Sequence, residues 1–153
     1  MIVLAIFLLD RVTKIYIIKL AELENVVDIY ITSYLNLYLI WNKGIAFGFL
    51  SFDNSTVYNL ITMIIIIIIF IIMLLIHKSR DKTVYFLLFI LGGAIGNLFD
   101  RIYYSSVPDF IDFHINGFHW FIFNVADIFV SLGVLCLILA EIFFNKQSKN
   151  EIS

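Results

Sequence analysis

Long apolar segments alternate with short polar ones along the chain, and four of the apolar segments are long enough to cross a membrane. A helix needs about 20 predominantly apolar residues to span the hydrocarbon core of a bilayer. The clearest segment, residues 57–76, contains no charge. Residues 83–101 and 121–143 contain a few polar positions, and residues 1–20 contain charged ones near their middle. The pattern predicts a membrane all-α protein, a single membrane-embedded domain over residues 1–153 built as a bundle of four transmembrane helices.

The two longer connections between these spans, residues 21–56 and 102–120, are predicted to lie on the same side of the membrane. In the first of them, residues 35–41 alternate imperfectly between apolar and polar positions, which predicts a short strand. Residues 42–44 are typical of a turn, and apolar positions resume at 45–50. We therefore expect a small extracytoplasmic β-sheet or hairpin between the first and second helices.

Composition and charge agree with this picture and orient it. Hydrophobic residues make up 62% of the chain, charged residues 14%, and the mean hydropathy is +1.01, which excludes a water-soluble globule. The connection over residues 77–82 holds three basic residues against one acidic, whereas the two longer connections hold one basic residue against six acidic. Because basic residues favour the cytoplasmic side, both termini are predicted to face the cytoplasm.

Charged residues inside the first span mark a candidate site. Each costs at least about 2.5–3.5 kcal/mol at mid-depth, so an ionisable residue there indicates a function by default. Asp10 and Lys14 are four residues apart and share one helix face, in the favourable acid-first order. They predict either an internal ion pair that lets the helix sit in lipid or part of a functional site. We expect Arg11 to extend towards a membrane interface.

The third span ends in a polar cluster at its outward end. Gly92 and Gly96 have the spacing that lets a neighbouring helix backbone come close. Asn97 and Arg101 are four residues apart and share a face, and Asp100 can face the same crevice. The cluster is predicted either to pair with the charged residues of the first helix across the bundle or to bind the backbone of a substrate.

Two further acids are predicted to meet at the outer rim. Asn124, Asp127 and Ser131 lie on one face near the start of the fourth span, a face that we expect to point into the bundle. Asp109 stands between apolar neighbours in the preceding loop, which predicts that it dips to the membrane surface. When two carboxyl groups share a site, one holds a proton while the other stays ionised. The ionised group can then activate water and the protonated one can polarise a carbonyl, as in an aspartic protease.

Other chemistries lack their residues. The sequence contains neither the His-Glu-x-x-His motif of zinc proteases nor a Gly-x-Ser-x-Gly elbow, and Cys136 has no histidine in its span. His114 and His119 lie near Asp109 and Asp112 and could in principle bind a metal. Because their spacing matches no known metal-binding element, we expect no metal and no cofactor.

Five motifs in order along the chain resemble those of the signal peptidase II family, the lipoprotein signal peptidases. They are Asp10-x-x-Thr13-Lys14, Asn42-x-Gly44-x-Ala46-Phe47, Gly92-Gly93-Ala94-x-Gly96-Asn97-x-x-Asp100-Arg101, Asp109-Phe110 and Phe123-Asn124-x-Ala126-Asp127. The resemblance implies a bacterial four-helix membrane aspartyl protease. Such an enzyme removes the signal peptide of a prolipoprotein on the N-terminal side of a diacylglyceryl-modified cysteine.

The resemblance also implies which residues are catalytic and which support the site. It implies Asp109 and Asp127 as the catalytic pair. Eight further residues are implied to hold the site or contact substrate: Asp10, Lys14, Asn42, Gly44, Asn97, Asp100, Arg101 and Asn124. Asp100 stays an alternative partner for Asp127, but Asp109 is favoured, because Arg101 could hold the neighbouring Asp100 in an ion pair.

The implied setting is the bacterial cytoplasmic membrane, with the active site at its outer face. The implied partners are diacylglyceryl-modified prolipoproteins and membrane lipid, with no nucleic acid, and the chain is expected to be a monomer. Two other classes stay open. A small proton-coupled transporter would use Asp10, Asp100 and Asp127 as a relay, which requires acids at several depths. A non-enzymatic lipoprotein-assembly factor would not require two facing carboxylates.

Overall fold

The computed structural model describes residues 1–24, 27–44, 55–116 and 118–150, which form four helices and one sheet. The helices are α1 (Ile2–Glu24), α2 (Ser55–Lys78), α3 (Thr83–Tyr104) and α4 (Val125–Asn150). The strands are β1 (Asp28–Thr32), β2 (Leu35–Asn42), β3 (Val107–Ile115) and β4 (Phe118–Phe123).

Within these ranges, three helices are long and apolar enough to cross a membrane: Thr56–Lys78, Thr83–Tyr104 and Val125–Phe143. Helix α1 has 23 residues and would measure about 34 Å at 1.5 Å per residue. It contains too many charged residues to count as a candidate span by composition. The three charges nearest its middle, on Asp10, Arg11 and Lys14, are buried, while the apolar Leu8 and Val12 are exposed. A helical membrane protein with three candidate spans is confirmed, and the fourth span stays a prediction.

The four strands form one antiparallel sheet in the order β1-β2-β3-β4. Strands β1 and β2 connect α1 to α2, and β3 and β4 connect α3 to α4, so all four strands come from the same end of the bundle. The strand predicted over residues 35–41 is confirmed as β2, but its partners are β1 and β3. The expected second apolar arm, residues 45–50, lies outside the described residues.

The connection after α3 differs from the prediction. Residues 107–115 and 118–123 are strands and not a loop, so α4 begins at Val125 instead of Phe121. Two residues, Asn116 and Gly117, separate the strands, and Asn-Gly is a strong signal for a two-residue hairpin. Asn116 has the positive φ, 51°, that such a turn requires. The acid-bearing "loop" is therefore a central strand of the sheet.

Glycines on α3 let the helices approach closely where the site forms. A Cβ atom on Gly93 would lie 2.3 Å from the backbone oxygen of Ala126 on α4, and one on Gly96 would lie 2.8 Å from Oδ2 of Asp10 on α1. Since real Cβ atoms do not come so near, α3 can pack this tightly against both neighbours only with glycine at these positions. The sheet is anchored to α1 by a small core of Ile17 and Phe110, which holds β3 over the bundle.

Candidate active site

Two acids and two bases from α1 and α3 form a buried, charge-balanced cluster. Nζ of Lys14 lies 3.0 Å from Oδ2 of Asp10 and donates a 2.6 Å hydrogen bond to Oδ2 of Asp100. Arg11 bridges the same acids, at 2.8 Å from Asp10 and 2.5 Å from Asp100. Of the two interpretations of these charges, pairing across the bundle is the one observed. Two positive charges offset two negative ones, as buried ions require.

This cluster corrects two predictions about arginine. Arg11 does not extend to an interface, because two carboxylates within the bundle offer its guanidinium partners that lipid lacks. Asp100 is held by Arg11 and Lys14, whereas Arg101 points elsewhere. Arg101 donates to the backbone oxygens of Gly44, at 2.8 Å, and Asn97, at 3.3 Å.

Asn97 connects the charged cluster to α4. Its side-chain oxygen accepts a 2.9 Å hydrogen bond from Nζ of Lys14, which leaves its Nδ2 to donate to Oδ1 of Asp127 at 2.7 Å. Asp10 makes a second connection, because its Oδ1 accepts a 3.0 Å hydrogen bond from the backbone N–H of Ala126. The charged cluster thereby fixes the start of α4 and one oxygen of Asp127.

The start of α4 is a capping box that Asn124 and Asp127 build between them. The backbone N–H of Asp127 donates to Oδ1 of Asn124 at 3.1 Å, and the backbone N–H of Asn124 donates to Oδ2 of Asp127 at 3.2 Å. Such reciprocal bonds satisfy N–H groups that have no partner inside the helix. The same geometry holds the Asp127 carboxylate in one orientation, at the end of the helix where negative charge is favoured.

Asp109 faces this helix start from strand β3. Nδ2 of Asn124 donates to its Oδ1 at 2.6 Å, and Nδ2 of Asn42, at the end of β2, donates to its Oδ2 at 2.8 Å. The backbone N–H of Gly44 in turn donates to Oδ1 of Asn42 at 2.7 Å, which fixes the orientation of that amide. The predicted site residues on β2, β3 and α4 are thus brought together.

The surroundings of Asp109 favour its protonated form. The side chain is 1% exposed, and burial, followed by the negative charge of Asp127, raises the pKa of Asp109 to about 7. The amide hydrogen bonds from Asn42 and Asn124 oppose this rise, because they stabilise the ionised carboxylate. Near neutral pH, a proton on Asp109 is therefore readily gained and lost.

Both carboxylates line one cavity of about 190 Å³. Arg101 lines it together with the two acids, and the remaining lining is mostly apolar side chains of α2, α3 and α4: Ile65, Ile68, Ile72, Ile90, Ala94 and Val130. A second groove, of about 370 Å³, reaches Asp127 from the other side of α4. It is lined chiefly by apolar side chains: Phe121, Phe123, Ile128, Leu132 and Leu135.

Tyr58 was not singled out from the sequence, and Asp112, His114 and His119 were noted there without a prediction that they converge. Tyr58, near the start of α2, donates a 3.0 Å hydrogen bond to the backbone oxygen of Arg101, and a tyrosine hydroxyl at the start of an apolar span is the signal that could have indicated it. Asp112, His114 and His119 also converge, on the β3–β4 hairpin. The Asn-Gly turn and the two-residue spacing on β3 would have placed them together, had the strands been predicted.

The fold and the paired acids together define a class, that of membrane proteins with two buried carboxylates facing a shared cavity. Two carboxylates that share a proton can activate water and polarise a carbonyl at the same time, which is the chemistry of an aspartic protease. Among the described residues, no serine or cysteine nucleophile lines this cavity.

Comparison with known proteins gives the family. The family model of signal peptidase (SPase) II matches residues 2–143, and the chain therefore belongs to the signal peptidase II family. A lipoprotein signal peptidase of Pelagibacter ubique (strain HTCC1062) is 58% identical over 150 residues, covering 98% of this chain and 90% of that protein. Another, of Janthinobacterium sp. (strain Marseille), is 41% identical over 137 residues, covering 88% and 82%.

A solved structure shares the fold. It is described as a bacterial membrane enzyme structure obtained by the in meso method at 2.3 Å resolution, and it superposes with a TM-score of 0.70 at 30% identity. The match covers 97% of this chain and 88% of the other. Together with the apolar helices, these relatives make the chain a bacterial membrane protein.

Proposed function

We propose that Asp109 and Asp127 are the catalytic pair with which this chain, as an aspartic endopeptidase of the signal peptidase II family, removes signal peptides from lipoproteins. The observation that carries the proposal is the hydrogen bonding of the two acids. Both are buried, both line one cavity, and their described hydrogen bonds come only from neutral amide groups of Asn42, Asn97 and Asn124. None of the hydrogen bonds described for the two acids comes from a cation, which favours one shared proton on the pair.

The two acids have different roles in the proposed reaction. Asp109, with its pKa of about 7, holds the proton and donates a hydrogen bond to the carbonyl oxygen of the scissile peptide. Ionised Asp127 takes a proton from water, and the water oxygen attacks the carbonyl carbon. Asp127 then returns that proton to the departing amine as the carbon–nitrogen bond breaks. No metal or cofactor takes part in this sequence.

The signal peptide, an apolar helix, is proposed to reach the acids sideways from lipid. Ile65, Ile68 and Ile72 of α2 form one wall of the cavity, and Ile68 is also 47% exposed, so the wall continues onto the outer surface of the bundle. This apolar wall suits the apolar core of a signal peptide, whose last turn would unwind beside the acids.

Unwinding frees backbone groups that lipid cannot satisfy. Arg101 lines the cavity, and its Nε has no hydrogen-bond partner among the described atoms. It is proposed to donate to a carbonyl oxygen of the substrate. The remaining implied residues, Asp10, Lys14 and Asp100, support the site by fixing Asn97 and the start of α4.

The second groove supports a lipid-modified substrate. It reaches Asp127 and is almost entirely apolar, with Phe123 and Leu132 among its walls, which suits the acyl chains of a diacylglyceryl group on the cysteine that follows the scissile bond. On this proposal the chain spans the bacterial cytoplasmic membrane four times, both termini are cytoplasmic, and the sheet and acids lie at the outer face. The protein is proposed to act as a monomer. The transporter and assembly-factor alternatives have no observation in their favour.

The test is cleavage by the purified protein of one precursor in two forms, with and without the diacylglyceryl group. Signal peptide should be released from the modified form alone. Asp109→Asn and Asp127→Asn should each lower the rate by about 10³-fold or more. Asp28→Asn, on an exposed residue of β1 in the same sheet, serves as the matched control and should leave the rate unchanged. Wild-type turnover by either catalytic variant would overturn the assignment.

A further inference from the structure

The β3–β4 hairpin gathers three metal-binding side chains outside the proposed catalytic pair. Asp112 and His114 are two residues apart on β3 and so share a face of the sheet. His114 and His119 are register partners across the hairpin, next to an irregularity in the pairing between Phe113 and His114. One donor atom from each of Asp112, His114 and His119 lies within 4.8 Å of the others.

Asp112 lies at the centre of the cluster, and only one of its two carboxylate oxygens has a hydrogen-bond partner among the described residues. Asp112 is 1% exposed, and its Oδ2 lies 2.7 Å from Nδ1 of His119 and 3.5 Å from Nδ1 of His114. Its Oδ1 and the buried Nδ1 of His114 make no hydrogen bond to any described residue. Leaving such buried groups without hydrogen-bond partners is unfavourable, and more so for a charged group.

A fourth donor stands on the neighbouring strand. Asn36 of β2 is the register partner of Asp112, and partners directly opposite each other present their side chains on the same face. Oδ1 of Asn36 is also buried without a hydrogen bond to the described residues. An Asp–His hydrogen bond accounts for Oδ2 of Asp112, but Oδ1 of Asp112, Nδ1 of His114 and Oδ1 of Asn36 have no hydrogen-bond partner among the described residues.

We propose that Asp112, His114 and His119 bind a divalent transition-metal ion, zinc above all, on the outer sheet. Two imidazole nitrogens and one carboxylate oxygen form a donor set typical of zinc, with a fourth position left for water or for Oδ1 of Asn36. Magnesium and calcium prefer sites made of oxygen alone. The ion would provide a partner for buried oxygen and nitrogen atoms that the described residues leave without hydrogen bonds.

The geometry needs small adjustments of the two histidine side chains, whose donor atoms lie within 4.8 Å of each other. Ligands at 2.0–2.2 Å in a tetrahedron lie about 3.3 Å from one another, so the 3.5 Å between Asp112 and His114 already fits. The 2.7 Å contact between Asp112 and His119 must lengthen by roughly half an ångström, with the metal replacing the hydrogen bond. The His119 side chain is 58% exposed and has room to move. Bound there, the ion joins β3 to β4 three residues beyond Asp109.

The test is zinc binding by the purified protein, produced without a histidine tag and measured by competition with a chromophoric chelator. Wild type should bind one zinc ion per chain, and excess magnesium should not displace it. His119→Ala should weaken binding by at least about 100-fold, since losing even an outer partner of a metal ligand costs 10–100-fold. The matched control is His77→Ala, because His77 is an exposed histidine in the last turn of α2. This variant should bind zinc as wild type does.

A second measurement separates binding at this site from binding elsewhere. Zinc should raise the midpoint of thermal unfolding of wild type and of His77→Ala, and should not raise that of the double variant His114→Ala/His119→Ala. The buried Asp112 is left intact in these variants, so that folding is preserved. Absence of zinc binding by wild type, or wild-type affinity in the double variant, would overturn the proposal. Neither result bears on peptidase activity, which is measured independently.

Discussion

Two pairs of buried acids among the described residues, Asp10 with Asp100 and Asp109 with Asp127, differ in the groups that are bonded to them. Asp10 and Asp100 are bonded to cations, Arg11 and Lys14, at 2.5–3.0 Å. Asp109 and Asp127 are bonded to amide groups. A cation cancels the charge of an acid and fixes it in the ionised form, whereas an amide orients the carboxyl and leaves its charge uncompensated. Burial together with a bonded cation indicates a structural role, and burial without one indicates chemistry.

The largest expected difference between the two groups is in stability. Lys14→Met leaves Asp10 and Asp100 sharing Arg11 alone, which leaves one buried negative charge uncompensated. It should lower the free energy of unfolding by about 3–5 kcal/mol, measured by reversible unfolding in mixed micelles. Asp109→Asn replaces an acid that has no cation bonded to it among the described residues, so no partner charge is left unpaired and its stability should equal or exceed that of wild type.

A compensating variant makes this prediction sharper. Adding Asp100→Asn to Lys14→Met restores a neutral cluster of Asp10 and Arg11, so part of the lost stability should return. If Lys14→Met were as stable as wild type, or if Asp109→Asn lost as much, the distinction between the two groups would fail.

The next largest effect is on the pH dependence of cleavage. Because Asp109 acts in its protonated form and has a pKa of about 7, the rate should be sustained below pH 7. Above it, the rate should fall about tenfold per pH unit as the proton is lost. The measurement is the single-turnover rate on a lipid-modified precursor across the neutral range.

A variant of Asn42 tests whether the fall in rate above pH 7, the inflection of the pH profile, belongs to Asp109. Its amide stabilises the ionised carboxylate, so Asn42→Ala should raise the pKa of Asp109 and move the inflection to higher pH. An inflection that arose from another group would not respond to this substitution. A rate that stays flat through pH 7 to 9, or an inflection that Asn42→Ala leaves in place, would contradict the proposed role of Asp109.

Much of this arrangement was accessible from the sequence, for physical reasons. Uninterrupted apolar segments predict helices, and the four-residue spacing of Asp10 and Lys14 predicts their shared face. The direction of Arg11 was not accessible, because a long flexible side chain goes to whichever partner is near, and Asp100 is near only after α1 and α3 have packed. Nor was β3 predicted, since Pro108 and the acids beside it are typical of a loop, and the Asn-Gly turn that identifies the hairpin was not weighed.

The smallest expected effect separates the two roles of Asn124, which caps α4 and donates to Asp109. Serine caps a helix about as well as asparagine but has no amide to reach Asp109. Asn124→Ser should therefore keep nearly all the stability that Asn124→Ala loses, a difference of about 1 kcal/mol between the two variants. Both should move the pH inflection upward by the same amount, because both remove the same donor. If only Asn124→Ala moved the inflection, the amide would act through the helix cap and not on the acid.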